Sequence, residues 1–480
     1  MNIERTKSAA LPRRRLLLTA GAATLAGLAV PRRGPAAISG PEYRLTAGAG
    51  RTLLLGDGKP ATDVWCYQDQ VPGPEIRIRQ GNRLRVLVEN RLPRPTTVHW
   101  HGIRLPNAMD GVPHLTQEPI APGESFLYEF DVPDAGTFWY HSHLRDTEQV
   151  GRGLYGPLIV EERQPIAVDR DITWMLSDWR LEPDGEISDD FDDYHDIAHD
   201  GRVGNTVTVN GRVPKSFAAR AGERIRLRLI NGANARIFSL AFEGHRPWIV
   251  ACDGQPLEPH EPAGGRVLLG PGMRADLVID MLGKPGQRYP VMDTFYEGLE
   301  YRLLDLAYTD EPPVRAHASE IPIALPANPV SRPDLDRAVS YELRLGGGMM
   351  GGMTHALVQG REESMDAMAR DRLAWAINGV AGFGYRYEPL LTLARGRSYV
   401  LRLVNDTRWH HPIHLHGLAF RVLSRDNNPL RYEEWGDTVL LRPQERVDLA
   451  FVADNPGDWM IHCHILEHQL GGMMAVLRIA

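Results

Sequence analysis

Three segments of this chain share one frame: GNRLRVLVEN from Gly81 to Asn90, GERIRLRLIN from Gly222 to Asn231, and GRSYVLRLVN from Gly396 to Asn405. Each opens on glycine, alternates apolar and polar residues over the length of one strand and closes on asparagine. A frame that returns in this way marks one supersecondary unit used three times. Elsewhere, runs of Val, Ile, Leu, Phe and Tyr alternate with polar residues and break at Gly and Pro turns, which predicts an all-β chain. With 480 residues and 43% hydrophobic content, there is material for about three domains with cores of their own.

Counting nine residues past each closing asparagine reaches His99, Leu240 and His414, and two further on stand His101, Phe242 and His416. A second shared frame follows in GTFWYHSH from Gly136, GQRYPVMD from Gly286 and GDWMIHCH from Gly457. Its equivalent pairs are His141 and His143, then Val291 and Asp293, then His462 and His464. The first and third copies therefore carry candidate metal ligands, whereas the middle copy has lost them and reads as a spacer. Between the paired positions stand Ser142, Met292 and Cys463, so only the third copy offers a thiolate.

In an extended strand neighbouring side chains point to opposite faces, so His462 and His464 share one face and Cys463 looks to the other. One short strand then serves two metal centres. On the Cys463 face, His468 and Met473 follow at five-residue intervals, and His411 of HHPIHLHG supplies a second imidazole. A Cys, two His and a weak axial Met make the ligand set of a blue-copper centre. A single HxH pair is more often a chance grouping of core histidines than a site; four clusters with a Cys and a Met in register are not.

On these motifs, HWHG, HSH, HHPIHLHG and HCHILEHQLGGMM, the chain from about 42 to 480 resembles the multicopper oxidases, and is similar to laccases and bacterial cuprous oxidases. The resemblance implies three consecutive cupredoxin-like Greek-key β-sandwich domains, placed at 42–163, 164–312 and 337–480 with a linker at 313–336. It implies four coppers per chain. His411, Cys463, His468 and Met473 take the place of the type 1 ligands, and His99 and His414 that of the type 2 ligands. His101, His141 and His464 would hold one type 3 copper, and His143, His416 and His462 the other. Asp110, in HGIRLPNAMDG, occupies the place of an acid that serves the cluster with protons; the plainer reading is a turn aspartate before Gly111. Where some bacterial relatives carry an acid after the second type 1 imidazole, this chain has Gln469, a departure that puts a second proton route in question. Glu467 is expected to point elsewhere.

The implied reaction is one-electron oxidation of a donor, whether Cu(I), a phenol, an aromatic amine or Mn(II), coupled to four-electron reduction of O2 to water. GGGMMGGM, with Met349, Met350 and Met353 and with Met365 and Met368 nearby, supplies thioethers that suit Cu(I) and points to copper tolerance. A flexible loop with incidental methionines is the alternative. For the whole chain the alternative is a non-catalytic copper-binding or structural protein of the same fold, which the full ligand set argues against.

The N-terminus, LPRRRLLLTAGAATLAGLAVP, sets Arg13, Arg14 and Arg15 before a short apolar run and reads as a twin-arginine signal peptide over 1–37. That predicts export to the periplasm and no stable membrane insertion after removal. A formal charge of −7 gives no reason to expect a nucleic-acid partner. Cys66 and Cys252 read as buried free thiols, with a bridge between them as the alternative. The acidic run DDFDDYHDIAHD carries His195 and His199 at helical spacing, a solvated loop or a cation site.

Overall fold

Each repeat becomes two facing antiparallel-rich sheets built around the same central strand. In the computed structural model, which describes residues 42–320, 323–384 and 388–480, the three frames form the strands Arg83–Asn90, Arg224–Asn231 and Ser398–Asn405. Each pairs in parallel with the first long strand of its unit, Tyr43–Thr52, Arg170–Trp179 or Val339–Gly347. On its other side each pairs antiparallel with Ser125–Asp131, Arg274–Asp280 or Arg446–Val452. Three consecutive cupredoxin-like sandwiches result. The export leader over 1–37 lies outside the described residues.

The closing asparagines explain why the frame ends as it does. Asn90 donates its side-chain amide to the carbonyls of Arg94 and Ile120, at 2.9 and 2.8 Å. Asn231 does the same to Arg236 and Leu269, and Asn405 to Trp409 and Arg442. Each carbonyl oxygen of the three side chains accepts a backbone N–H two residues on. The turn after the strand is thereby clamped, and the chain re-enters the opposite sheet at a fixed place.

That re-entry sets the ligand register. His99 lies opposite His141, and His414 opposite His462. In the middle copy Leu240 lies opposite Asp293, not Val291. The second frame of the middle copy is thus two residues out of step with the alignment by Gly286, a shift that preserves the face because the strand period is two.

Alternation in the frames predicts one apolar and one polar face. Arg83–Asn90 and Ser398–Asn405 alternate in this way, but Arg224–Asn231 is buried along its whole length. Its polar face carries Arg226, held by Glu162 and Asp276, and Arg228, held by Asp171 and Asp276. Buried guanidinium groups are tolerated because each is paired and hydrogen-bonded. This face of the middle sandwich packs against the first one, so an apparently solvent-facing stripe is an internal ionic layer.

No helix or strand lies between Tyr308 and Val339 among the described residues. The segment is nevertheless pinned: Asn328 bonds Ala135, Gly254 and Gln255, and Arg332 pairs with Glu433. Cys66 is buried, Cys252 is half-buried, and both are free thiols, as is Cys463.

Candidate metal centres

The strand Gly457–Cys463 carries the division of faces. On one side the Cys463 sulfur lies 3.5 Å from Nδ1 of His411 and 3.5 Å from Nδ1 of His468. His411 reaches it from the adjacent strand His411–Leu415, and His468 from the short helix Leu466–Leu470. Met473 is wholly buried in the same core, and its carbonyl accepts the Cys463 N–H at 3.0 Å. Met474 turns away and packs on Gly382.

The outer nitrogens fix the tautomers. His468 Nε2 donates to the His199 carbonyl at 2.7 Å. Thr407 spends its hydroxyl hydrogen on Asn405 Oδ1, so it accepts from His411 Nε2 at 2.8 Å. Both Nδ1 atoms therefore turn bare lone pairs toward each other, 3.0 Å apart, with the sulfur between them. Burial holds His411 well below its usual pKa and His468 down to about 3, while it pushes the Cys463 thiol far up. A soft cation is what turns this set from repulsive to stable.

On the opposite side lie His99, His101, His141, His143, His414, His416, His462 and His464, all buried. Nδ1 of His99, His141, His414 and His462 each bonds a backbone carbonyl at 2.8 to 3.0 Å. Nδ1 of His416 bonds Asp110 Oδ2 at 2.9 Å. His101 is turned the other way, with Nε2 at 3.0 Å from Asp437 Oδ1. The remaining nitrogens, Nε2 of His99, His141, His143 and His414 and Nδ1 of His101, are buried without a hydrogen-bond partner, as are both nitrogens of His464. His416 and His462 face each other through Nε2 at 3.0 Å.

A buried orphan acceptor costs roughly 1–3 kcal/mol, and so many in one place are rare in folded proteins. Metal ions satisfy all of them at once. Desolvation, reinforced by neighbouring imidazoles, holds His101, His141, His143, His416, His462 and His464 well below the ordinary histidine pKa, hence neutral and able to ligate. Ligating atoms of His143, His416 and His462 fall in one group, and those of His99, His101 and His141 and of His99, His414 and His416 in others.

Profiles described as multicopper oxidase match residues 50–165, 170–305 and 359–480. The chain is 33% identical over 455 residues to multicopper oxidase MmcO of Mycobacterium tuberculosis, across 87% of this chain and 83% of that one. The chain belongs to the multicopper oxidases. Copper resistance protein A of Escherichia coli is 26% identical, across 92% of this chain and 93% of that one. Among crystal structures, the multicopper oxidase from Pseudomonas thermotolerans superposes with a TM-score of 0.79 at 36% identity, covering 92% of this chain and all of the other. A metallo-oxidase from Campylobacter jejuni gives 0.74 at 26% identity, covering 91% of each.

As a multicopper oxidase the protein uses copper as cofactor and couples oxidation of a donor to reduction of O2. Asp110 is buried, and its backbone and side chain bridge two histidines: its carbonyl and Oδ1 face His99 Nδ1, and Oδ2 faces His416 Nδ1. Gly111 beside it has φ 83°, and a Cβ there would lie 1.9 Å from the Val98 carbonyl, so this turn fits only glycine.

Asp437, Arg274 and Asp146 escape sequence reasoning, which singles out only Glu467 and Gln469 among their non-ligand neighbours. Asp437 contacts His101 and His414, and is itself held by Arg274 and by the neighbouring Thr438. Glu467 lies on a helix rather than a strand, wholly buried, where it accepts from Arg202 N and Asn234 Nδ2. Gln469 donates to Asp146, an acid three residues past His143, at 2.8 Å. The middle sandwich is more than a spacer, since Arg274 and Gly272 abut the histidine cluster and His199 covers His468.

The acidic run is tied down by ion pairs and a helix cap. Asp190 and Asp196 pair with Arg180, and Asp193 caps the helix Tyr194–Ala198. The His195 and His199 rings stack at 3.9 Å. The methionines divide: Met368 is buried with Met353 and Met365 packed on its cluster, whereas Met349 and Met350 are 49% and 71% exposed.

Proposed function

We propose that Cu(I) is the electron donor, that the role is copper tolerance, and that the donor docks at Met349 and Met350. The observation that carries this is the tie between these thioethers and the cover of His468. Met349 N–H donates to the Ala198 carbonyl at 2.8 Å, and Trp409 Nε1 donates to the Met349 carbonyl at 3.1 Å. The adjoining His199 carbonyl holds His468. Soft, exposed thioethers thus stand beside the segment that roofs the type 1 imidazole, tied to it through the Met349 N–H, and thioethers suit Cu(I).

Bound copper supplies one-electron acceptance at the thiolate centre and the four-electron reduction of O2 to water at the cluster. The chain supplies the rest. His411, Cys463, His468 and Met473 would hold the type 1 ion; His99 and His414 the type 2 ion; His101, His141 and His464, and His143, His416 and His462, the type 3 pair. Peptide bonds join Cys463 to His462 and His464, so the donor side and the O2 side are covalently continuous. Asp110 keeps Nδ1 of His99 and His416 protonated and serves the cluster with protons.

The domains would divide at 42–163, 164–312 and 337–480, joined by 313–336; strands ending at Glu161, Tyr308 and Ile479 support this. The Arg13–Arg15 leader supports export to the periplasm by the twin-arginine route. No helix among the described residues is long and apolar enough to cross a membrane.

Oxygen uptake with Cu(I), Mn(II) and a phenol, measured side by side, tests the reading. Met349→Leu with Met350→Leu should raise KM for Cu(I) far more than KM for the phenol; equal effects overturn the Cu(I) assignment. Met353 is left in place because it packs in the core. Cys463→Ser should abolish both the blue thiolate absorption and oxygen uptake.

A further inference from the structure

The strand Arg274–Asp280 of the middle sandwich begins with a guanidinium that touches the other two. Arg274 is wholly buried, and it grips Asp437 through two parallel bonds, Nη1 to Oδ1 at 2.8 Å and Nη2 to Oδ2 at 2.6 Å. Its Nε donates to the Thr137 carbonyl at 3.2 Å, on the strand that ends at His141. Nη1 also reaches the Gly272 carbonyl at 3.1 Å.

What Asp437 does with its remaining acceptor capacity matters to the cluster. Its Oδ1 lies 3.0 Å from Nε2 of His101, a first-sandwich residue, and 3.2 Å from Nδ1 of His414, a third-sandwich residue. A carboxylate has no hydrogen to give, so both nitrogens carry the hydrogen. The bare nitrogen is then Nδ1 in His101 and Nε2 in His414, the two atoms left without a partner. With the guanidinium fixing both of its oxygens, Asp437 serves as an orienting acceptor for the two rings.

The same sandwich pins the peptide that carries Asp437. Asp253 Oδ2 accepts N–H from Asp437 at 3.3 Å and from Thr438 at 3.0 Å, while its Oδ1 accepts the Arg274 N–H at 2.8 Å. Gly272, at φ 82°, brings backbone so close that a Cβ would lie 2.8 Å from His464 and 3.0 Å from His101.

We propose that Arg274, acting through Asp437, is a positioning residue for the oxygen-reducing cluster: the sandwich without ligands of its own fixes the tautomer of His101 and, beside the Asp437 carbonyl at 3.0 Å, helps to orient His414. Outer partners of metal-bound histidines act in this way, by fixing ring orientation and the donor nitrogen. A planar fork is required, because an ammonium is a point charge that cannot hold both carboxylate oxygens and the Thr137 carbonyl together. The inference rests on the ligand assignment proposed above.

The test uses the copper-loaded full chain and compares wild type with Arg274→Lys and with Arg274→Met combined with Asp437→Asn, which avoids leaving the Asp437 carboxylate buried without its cation. Copper retained per chain is measured against increasing chelator, with the blue type 1 absorption as the control for fold. Cluster copper should be lost at roughly ten- to a hundredfold lower chelator in both variants, with the type 1 absorption unchanged. Lysine should not rescue. Wild-type retention in either folded variant overturns the proposal, as does loss of type 1 and cluster copper together. If His101→Ala and His414→Ala also leave cluster copper in place, the ligand assignment itself has failed.

Discussion

His468 gives its Nε2 hydrogen to the backbone carbonyl of His199 across 2.7 Å, and no part of the His468 ring is exposed. A donor therefore meets His199 before it meets the His468 imidazole. The His199 ring is half-buried, stacked on His195 and set edge-on to Trp409 at 5.3 Å. His199→Ala keeps the carbonyl and removes the ring. The blue absorption should persist, KM for the donor should rise several-fold, and kcat should hardly change, because the docking that is lost is common to the ground and transition states. Steady-state kinetics beside the visible spectrum decide it; a lost blue band would show that the ring, not the carbonyl, supports His468.

Asp110→Asn tests the bridge between His99 and His416. An asparagine offers one acceptor oxygen and an NH2, so it can accept from only one of His99 and His416, where the two carboxylate oxygens now face both. If the NH2 faces His416 Nδ1, the hydrogen moves to Nε2, the atom that faces His462. We expect kcat to fall roughly ten- to a hundredfold, with cluster copper depleted and the type 1 absorption intact. Full activity in the asparagine variant would leave Asp110 as no more than a turn residue.

How much of this was legible beforehand follows from the range of each interaction. The HxH faces and the asparagine-closed frames are local: a period of two and a turn clamp act within a few residues, so sequence shows them. Arg274 and Asp437 meet across 163 positions, and His101 and Asp437 across 336. Nothing near Asp437 in sequence announces a partner. Arg226 and Arg228 mislead for the same reason, since they look like a solvent face until Glu162 and Asp171 arrive from another part of the chain. The two-residue slip of the middle copy is silent because it leaves every side chain on its expected face.

Removing copper should expose the repulsion built into the site. The bare nitrogens of His411 and His468, and those of His416 and His462, each stand 3.0 Å apart with no hydrogen between them. Chelated protein should melt well below the copper-loaded form, by the linkage of binding to folding. Calorimetry with and without copper reads the difference. Cys463→Ser should lose only the share that belongs to the type 1 centre, and equal melting of loaded and stripped wild type would contradict the lone-pair geometry.

Asp146 carries the pH prediction. It lines a cavity of about 330 Å³ with His143, Thr147, Gln469 and Met474. Burial, with a smaller push from Glu467, raises its pKa to about 7, against the pull of the Thr147 N–H and Gln469. The unfolded chain releases this proton at ~3.9, so between about pH 4 and 7 the folded state holds more protons. Stability from this group is therefore lost as pH rises through that window, at up to ~1.4 kcal/mol per pH unit. Asp146→Asn has no proton to lose. Its advantage over wild type in urea unfolding should widen from about pH 4.5 to 7 and then level off; a gap that is flat across this range would mean that Asp146 is ionised in the folded protein.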